Sequence, residues 1–154
     1  MPETSPQERG LRAIIEAYDL AWNQHDLEAI IACHTFDSVF ESHATAELAA
    51  GHSAIRRMIA RYFRLFPDLA FTIRRMYAHP GLVVQEWTAQ ATHTVPIPTR
   101  QGLAVPTGRV LTWSGVDIMP MAGNLIARKD AYVDSASLQR QIEAARLSPS
   151  ETAR

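Results

Sequence analysis

A change of hydrophobic period near residue 68 constrains the fold of this chain more than any other feature of its sequence. Before this point apolar residues recur at helical spacing, which predicts a helix over 6–24, a short one capped by Asp26, and a third from Ile55 to Pro67. A short strand is predicted at 37–43. The AELAAGHS segment after it is interpreted as a loop that ends in a helix cap, Ser53.

After residue 68 the pattern becomes that of long strands. Four segments are joined mostly by short turns, which favours antiparallel hairpins; they are 69–78, 82–95, 109–121 and 125–134. A Pro-rich loop precedes the third of them, and Ser135 is predicted to cap a last helix that runs to about residue 146. Helices followed by a meander of strands indicate an α+β fold with the helices on one face of the sheet.

The composition limits the classes of protein to which the chain can belong. Its 154 residues, 47% of them hydrophobic, suit one soluble domain over 1–154 with an ordered core at about 7–146 and frayed ends at 1–6 and 148–154. A net charge of −1 argues against nucleic acid or membrane as a partner. Cys33 is the only cysteine, which excludes an internal disulfide. The N-terminus lacks the pattern of a secretory signal, so a cytoplasmic location is expected.

The stretch TWSGVDIMPM carries a single acid, Asp117, inside a predicted strand. Alternation would place Asp117 on one face with apolar residues, namely Leu111, Trp113, Met119 and Met121. A carboxylate among such side chains must be solvated, paired with a cation or kept protonated. Each of these states predicts a different role, and the strand pattern alone leaves all three open.

Several motifs together resemble the nuclear transport factor 2-like superfamily over roughly residues 10–145. They are HDLEAIIACHTFDSVFE, GHSAIRRM, FPDL, a strand that ends in THT, VPTGR and GNLIARKDAYVDSASLQRQI. The sequence is most similar to the SnoaL-like polyketide cyclase and ketosteroid isomerase branches. The resemblance implies a cone-shaped, curved antiparallel sheet that three helices close around a deep apolar pocket, with a short C-terminal helix. It also implies a homodimer that covers the apolar outer face of the sheet.

The resemblance implies roles for particular residues. Tyr18 and a protonated Asp117 fall on the two isomerase positions that donate hydrogen bonds to a substrate oxygen. The isomerase base would fall at Ser42, which cannot serve as one. Asp130, Asp134 and His93 are therefore the alternative candidates for the base.

Limonene-epoxide hydrolases are similar to the chain in PTGR and in the last strand, where their aspartate falls on Asp130. Their Arg-x-Asp pair has no counterpart in EWTAQATHT, so the sequence does not predict their catalytic triad. The histidines show no ligand spacing with carboxylates, and neither a metal nor another cofactor is predicted. The predicted substrate-binding residues are Trp22, Trp113, Ser42, Phe40, Met119 and Phe63.

The function predicted from the sequence is cofactor-independent acid–base catalysis on a small hydrophobic oxo compound, such as a polyketide. The reaction would be that of a cyclase, isomerase or dehydratase, with Asp117 and Tyr18 as donors to a developing enolate oxygen. The alternatives are a non-catalytic module of the same fold that binds a small ligand or dimerises, and an epoxide hydrolase.

Overall fold

The structure is a computed structural model and describes residues 5–147. Its four helices are α1 (Pro6–Asn23), α2 (Leu27–Ala32), α3 (Gly51–Leu65) and α4 (Ser135–Leu147). Its eight strands are β1 (His34–Ser42), β2 (Glu47–Ala50), β3 (Ala70–His79), β4 (Leu82–Thr92), β5 (Ile97–Thr99), β6 (Gly102–Ala104), β7 (Val110–Ala122) and β8 (Leu125–Val133). The α+β class and the order of the long elements are as predicted.

The ends of the helices follow local capping chemistry, with two corrections to the predictions. Ser5 and Glu8 form a capping box with Pro6 at the first helical position, so α1 begins inside the end that was predicted to fray. The rest of the predicted frayed ends, 1–4 and 148–154, lies outside the described residues. Asp26 caps α2 as predicted, whereas α4 is capped by Asp134, whose Oδ1 accepts from the Ser137 amide.

The segment predicted to be a loop before α3 forms a strand instead. β2 pairs with β1, and Gly51, at φ +78°, turns the chain directly into α3 without a side-chain cap from Ser53. Local propensity is overridden here because the partner strand satisfies the backbone groups of a short edge segment. The Pro-rich loop likewise contains a small hairpin, in which β5 pairs with β6.

The main sheet is mixed, which corrects the prediction of an antiparallel one. Its strand order is β2-β1-β8-β7-β4-β3, and β1 runs parallel to β8 while every other pair is antiparallel. The two parallel strands come from opposite ends of the chain, so no short turn between them could reveal their relative direction. This pairing brings the N-terminal third of the chain against the last hairpin.

The core lies between the helices and one face of the curved sheet, called the inner face below. β7 alternates as predicted, with Leu111, Trp113, Asp117, Met119 and Met121 buried on this face. One apolar cluster joins α1, α2 and α3 to the sheet, and a second surrounds Trp87, Trp113 and Ile142 at the other end. Among the described helices none is long and apolar enough to cross a membrane.

Candidate active site

A cavity of about 620 Å³ opens between the inner face of the sheet, α3, α4 and the β5–β6 hairpin. Aromatic rings form much of its wall, including those of Trp22, Phe40, Tyr62, Phe66, Trp87 and Trp113. This volume lies within the range of small-molecule sites, and flat aromatic walls favour a flat ligand. Of the charged residues that line it, Asp117 and Lys129 are the two that are buried, and they are opposite in sign.

Asp117 and Lys129 form a buried ion pair. The Lys129 Nζ lies 2.8 Å from the Asp117 Oδ2, and each side chain is only 7% exposed. Asp117 is directly opposite Ala131 on β8, so Lys129 is its diagonal neighbour across the two strands, within reach of a long side chain. Of the three states that the sequence left open for Asp117, the structure therefore shows the paired one rather than an isolated protonated acid.

Lys129 faces inward because the alternation of β8 is interrupted. Ile126, Lys129 and Ala131 are all buried, so two residues rather than one lie between the first two inward-facing side chains. The register between β7 and β8 shifts at the same place, between Ile118 and Met121. Alternation counted from Ile126 would have turned Arg128 inward, which explains why the sequence analysis missed Lys129.

The Lys129 ammonium is surrounded by aromatic rings as well as by Asp117. Its Nζ lies 4.8 Å from the ring centre of Trp22, 5.1 Å from that of Phe40 and 5.2 Å from that of Tyr18. Burial by itself disfavours the charged ammonium, but Asp117 and Tyr18 outweigh this effect and raise the pKa of Lys129. The end of the cavity thus holds a stable cation.

Tyr18 connects this cation to a buried histidine. Lys129 donates to the Tyr18 hydroxyl oxygen at 3.3 Å, and the same oxygen lies 3.3 Å from His34 Nε2. The other His34 nitrogen, Nδ1, lies 3.0 Å from the Ser38 hydroxyl. Burial, with smaller contributions from Lys129 and His52, lowers the pKa of His34 to about 3, so the imidazole is neutral at physiological pH.

A second carboxyl group, that of Asp19, lies beside the ion pair. Gln85, which is opposite Asp117 across β4 and β7, donates to Asp19 Oδ2 at 2.7 Å. Burial raises the pKa of Asp19 to about 6. A small cavity of about 20 Å³ lies between Tyr18, Asp19, Gln85, Asp117 and Lys129.

Several buried polar atoms at this end have no hydrogen-bond partner among residues 5–147. They are Asp117 Oδ1, Trp22 Nε1 and Trp87 Nε1, and all three residues line the large cavity. Buried polar groups are seldom left unpaired in proteins, so this cluster favours a site that takes up polar groups of a ligand.

Four of the six predicted substrate-binding residues line the cavity: Trp22, Trp113, Ser42 and Phe40. Met119 is instead fully buried in the core, and Phe63 packs behind Trp22 at 5.5 Å between ring centres. Tyr18 does not line the large cavity and reaches it only through Lys129. The hydroxyl is therefore a partner of the ammonium.

None of the three candidate bases lines the cavity. Asp130 follows inward-facing Lys129, so its side chain lies on the opposite, outer face of the sheet, where it pairs with Arg128 and His43. Asp134 is exposed and caps α4. His93 is buried, with Nδ1 3.2 Å from Thr107 Oγ1. The strand alternation that buries Lys129 thus separates Asp130 from the aromatic cavity.

One set of potential metal ligands occurs within the described part of the chain. Atoms of Glu41, His43 and Asp130 lie within 4.8 Å of one another on the outer face. Arg128 already donates to both carboxylates, so a cation would have to displace a guanidinium. Sequence spacing missed this set because Asp130 is 87 positions from His43.

Comparison with known proteins agrees with this architecture. A crystal structure from Jannaschia sp. CCS1, provisionally named a SnoaL-like polyketide cyclase, has a TM-score of 0.78 at 16% identity, covering 94% of this chain and 99% of that one. IdmH from Streptomyces antibioticus, provisionally named a polyketide cyclase, has a TM-score of 0.75 at 18% identity, covering 86% and 98%. AclR from Streptomyces galilaeus, provisionally named a hydroxylase, gives 0.74 at 20%, covering 88% and 86%.

At these identities the solved structures establish a common fold. No curated protein sequence matches the chain at a significant level. The SnoaL-like domain family matches residues 14–129, which is most of the chain and includes both members of the buried ion pair. The chain therefore belongs to the family of SnoaL-like domains, within the nuclear transport factor 2-like fold.

Proposed function

We propose that this protein is a cyclase-type enzyme that removes a proton next to a carbonyl group of a small, flat, hydrophobic compound. The observation that carries the proposal is the Asp117–Lys129 ion pair at the end of the aromatic cavity. Asp117 is the base and Lys129 is the group that stabilises the developing enolate oxygen. This assignment replaces Asp130 and His93, which do not line the cavity, as the base.

The ion pair favours catalysis over simple binding because burial of two charges has a cost in folding stability. Taking two charges out of water costs several kcal/mol each, and well-packed apolar residues in their place are often as stable or more so. A module that only binds hydrophobic ligands has no need of such a pair. A buried charged group with a specific partner in a cleft is a candidate for a functional site.

The reaction conserves the charge at the end of the cavity. In the free protein the Asp117 carboxylate neutralises the Lys129 ammonium. When Asp117 takes the α-proton through its unpartnered Oδ1, the negative charge moves to the enolate oxygen, which the ammonium can then stabilise. Lys129 has three N–H bonds, of which Asp117 and Tyr18 accept two, so one is available for the substrate oxygen.

Ring closure follows from the same arrangement. The enolate carbon attacks a second carbonyl carbon of the same molecule, a carbon–carbon bond forms, and protonated Asp117 returns its proton to the new alkoxide. The aromatic walls would hold the flexible substrate so that the two carbons meet. The names of IdmH and of the Jannaschia protein support a polyketide-like substrate.

Hydrogen exchange in heavy water tests the proposal without knowledge of the natural substrate. Bicyclic and tricyclic aryl ketones are incubated with the protein, and deuterium uptake at the α-carbon is followed by NMR. Asp117→Asn should lower exchange on the order of a thousandfold, while ligand affinity changes little. Lys129→Met should lower it roughly a hundredfold or more.

The same assay separates the enzyme from a binding module. Binding of the ketones with no exchange above the uncatalysed rate would favour the non-catalytic module. Exchange that survives Asp117→Asn, in a variant that remains folded by circular dichroism, would contradict Asp117 as the base. The amide oxygen introduced by Asp117→Asn can still accept from Lys129, so the variant changes the proton chemistry more than the packing.

We also propose that the protein is a homodimer formed through the outer face of the sheet. Val110 is exposed there, and Val116, Ile118 and Pro120 are only half-buried. Such an apolar surface favours a second copy as its cover. Sedimentation should then give twice the mass of 17.2 kDa, and Val110→Lys should shift the protein towards the monomer. A monomer in both cases would contradict the proposal.

A further inference from the structure

We infer that Lys129, Tyr18, His34 and Ser38 form a hydrogen-bond chain with a single direction, which holds the ammonium in place and leaves Tyr18 no proton to give to a substrate. The inference rests on the proposed function, in which Lys129 is the electrophile. It assigns His34 and Tyr18 as positioning residues, and it differs from the role of substrate donor that the sequence resemblance implies for Tyr18.

The direction of the chain begins at Lys129. An ammonium group has donors only, so the 3.3 Å contact must run from Lys129 Nζ to the Tyr18 oxygen. Tyr18 is 1% exposed, and its hydroxyl needs an acceptor for its own hydrogen. Among the described residues, the acceptor in contact with it is His34 Nε2, also at 3.3 Å. Tyr18 therefore accepts from Lys129 and donates to His34.

The tautomer of His34 follows from this direction. If Nε2 accepts from Tyr18, the ring hydrogen of a neutral imidazole must be on Nδ1. Nδ1 lies 3.0 Å from Ser38 Oγ, which can accept it. Both His34, at 2% exposed, and Ser38, at 0%, are shielded from water, so solvent does not compete for these bonds. The hydrogen-bond chain therefore runs without a gap from β8 through α1 to β1.

The hydrogen-bond chain determines which way the Lys129 ammonium can point. Asp117 and Tyr18 each accept a hydrogen bond from Lys129, which fixes the direction of two of its N–H bonds. The rings of Trp22 and Phe40 limit how far the ammonium can move. The remaining N–H is then presented to the cavity. Loss of the Tyr18–His34 bond would free the ammonium to move towards Asp117 alone. Misplacement of a reacting group by about 1 Å can cost up to roughly a hundredfold in rate.

The first test is NMR of the wild-type protein and needs no activity. Nitrogen-15 labelling of the six histidines, with His34 assigned from the spectrum of His34→Gln, reports which ring nitrogen carries hydrogen. We expect the Nδ1–H form, neutral at pH 7. The Nε2–H form, or a protonated ring at pH 7, would overturn the inference. Because the readout is structural, it stands or falls separately from the proposed enzyme activity.

The second test asks whether the chain positions Lys129. In the exchange assay His34→Leu and Tyr18→Phe should lower kcat by roughly tenfold to a hundredfold with KM little changed. His34→Gln should recover most of the loss, because its side-chain carbonyl can accept from Tyr18. Equal kcat in His34→Leu and the wild type, or a loss that His34→Gln fails to recover although it folds as well, would overturn the positioning role. Ser38→Ala gives a milder variant in the same chain.

Discussion

The two faces of β8 carry ion pairs of similar length that differ in their exposure to water. On the inner face, Lys129 pairs with Asp117, and both side chains are 7% exposed. On the outer face, Arg128 pairs with Asp130 at 2.7 Å and also with Glu41, at side-chain exposures of 36%, 16% and 28%. Three consecutive residues of one strand thus supply a buried cation, an accessible cation and an accessible acid.

The difference lies in the cost of removing charge from water. The outer pairs are partly exposed to water, so their attraction is screened more and should contribute less to stability. The inner pair is deprived of water, so each charge depends on the other. The proposed proton transfer therefore belongs to the inner pair, and the outer pairs have no part in it. Substitutions on the two faces should therefore differ in their effects on stability and on exchange.

Removal of one cation should destabilise the protein far more on the inner face. Lys129→Met leaves Asp117 buried without a partner and should lower the free energy of unfolding by about 3–5 kcal/mol. Arg128→Met should cost less than about 1 kcal/mol. Urea denaturation of both variants measures the difference. Joint replacement in Asp117→Leu with Lys129→Met should recover part of the loss, and equal losses for the two single variants would contradict the contrast.

The acids on the two faces should change stability with pH in opposite directions. Burial raises the pKa of Asp19 from 3.8 to about 6, so between these values the folded state binds more protons and stability falls as pH rises. Asp19→Asn should remove this loss and be more stable than the wild type above pH 6, by at most about 3 kcal/mol. Gln85 can still donate to the side-chain carbonyl that Asp19→Asn retains.

Asp130 provides the matched control. Arg128, with His43, lowers the pKa of Asp130, so its contribution to stability is present above pH 3.8 and is lost as pH falls through the lower folded-state value. Asp130→Asn should therefore be less stable than the wild type at pH 7 and equal to it in strong acid. Thermal unfolding from strong acid to about pH 8 gives both curves. The same sign of change for both variants would exclude this difference between the faces.

Gly115 tests how closely β7 is packed beside the cavity. A Cβ there would clash with the Trp87 indole and lie 2.7 Å from the Tyr132 carbonyl oxygen. Gly115→Ala should therefore displace the Trp87 wall of the cavity, cost about 1–3 kcal/mol and weaken ketone binding. Gly10→Ala, where nothing lies within 4 Å, should be neutral or slightly stabilising. Calorimetry measures the stability of both variants, and tryptophan fluorescence measures their ketone binding. An unchanged ketone affinity in Gly115→Ala would contradict the role of Trp87 as a wall of the binding cavity.

The smallest expected difference between the two faces is in how much salt weakens the coupling energy of each ion pair. In 1 M NaCl the coupling energy between Arg128 and Glu41, measured by a double-mutant cycle, should fall by roughly a few tenths of a kcal/mol. The coupling between Lys129 and Asp117 should change less, because ions do not reach a buried pair. A larger salt dependence for the inner pair would mean that water enters the end of the cavity.

The sequence predicted what is periodic and local. The apolar stripes of α1 and α3 and the alternation of β7 were sufficient to place Asp117 on the inner face. Short elements were missed: β2 and the β5–β6 hairpin have three or four residues in each strand, and their partners rather than their own propensities stabilise them. The parallel pairing of β1 with β8 is equally non-local.

The chemistry of the site depended on a feature that alternation cannot reveal. The interruption in β8 turns Lys129 inward and Asp130 outward, the reverse of a strict count from Ile126. One signal was present, since an acid on an apolar face that is neither protonated nor solvated requires a cation, and the last hairpin contains ARKD. The contact between His34 and Tyr18 follows only from the tertiary fold.

The most direct test of the central claim is the same isosteric substitution on the two faces. Asp117→Asn and Asp130→Asn each replace one carboxylate by an amide, and α-hydrogen exchange of an aryl ketone in heavy water is measured for both against the wild type. We expect a loss on the order of a thousandfold for Asp117→Asn and a rate within about twofold of the wild type for Asp130→Asn. Loss of exchange in Asp130→Asn, with Asp117→Asn active, would contradict this expectation and return the base to the outer face.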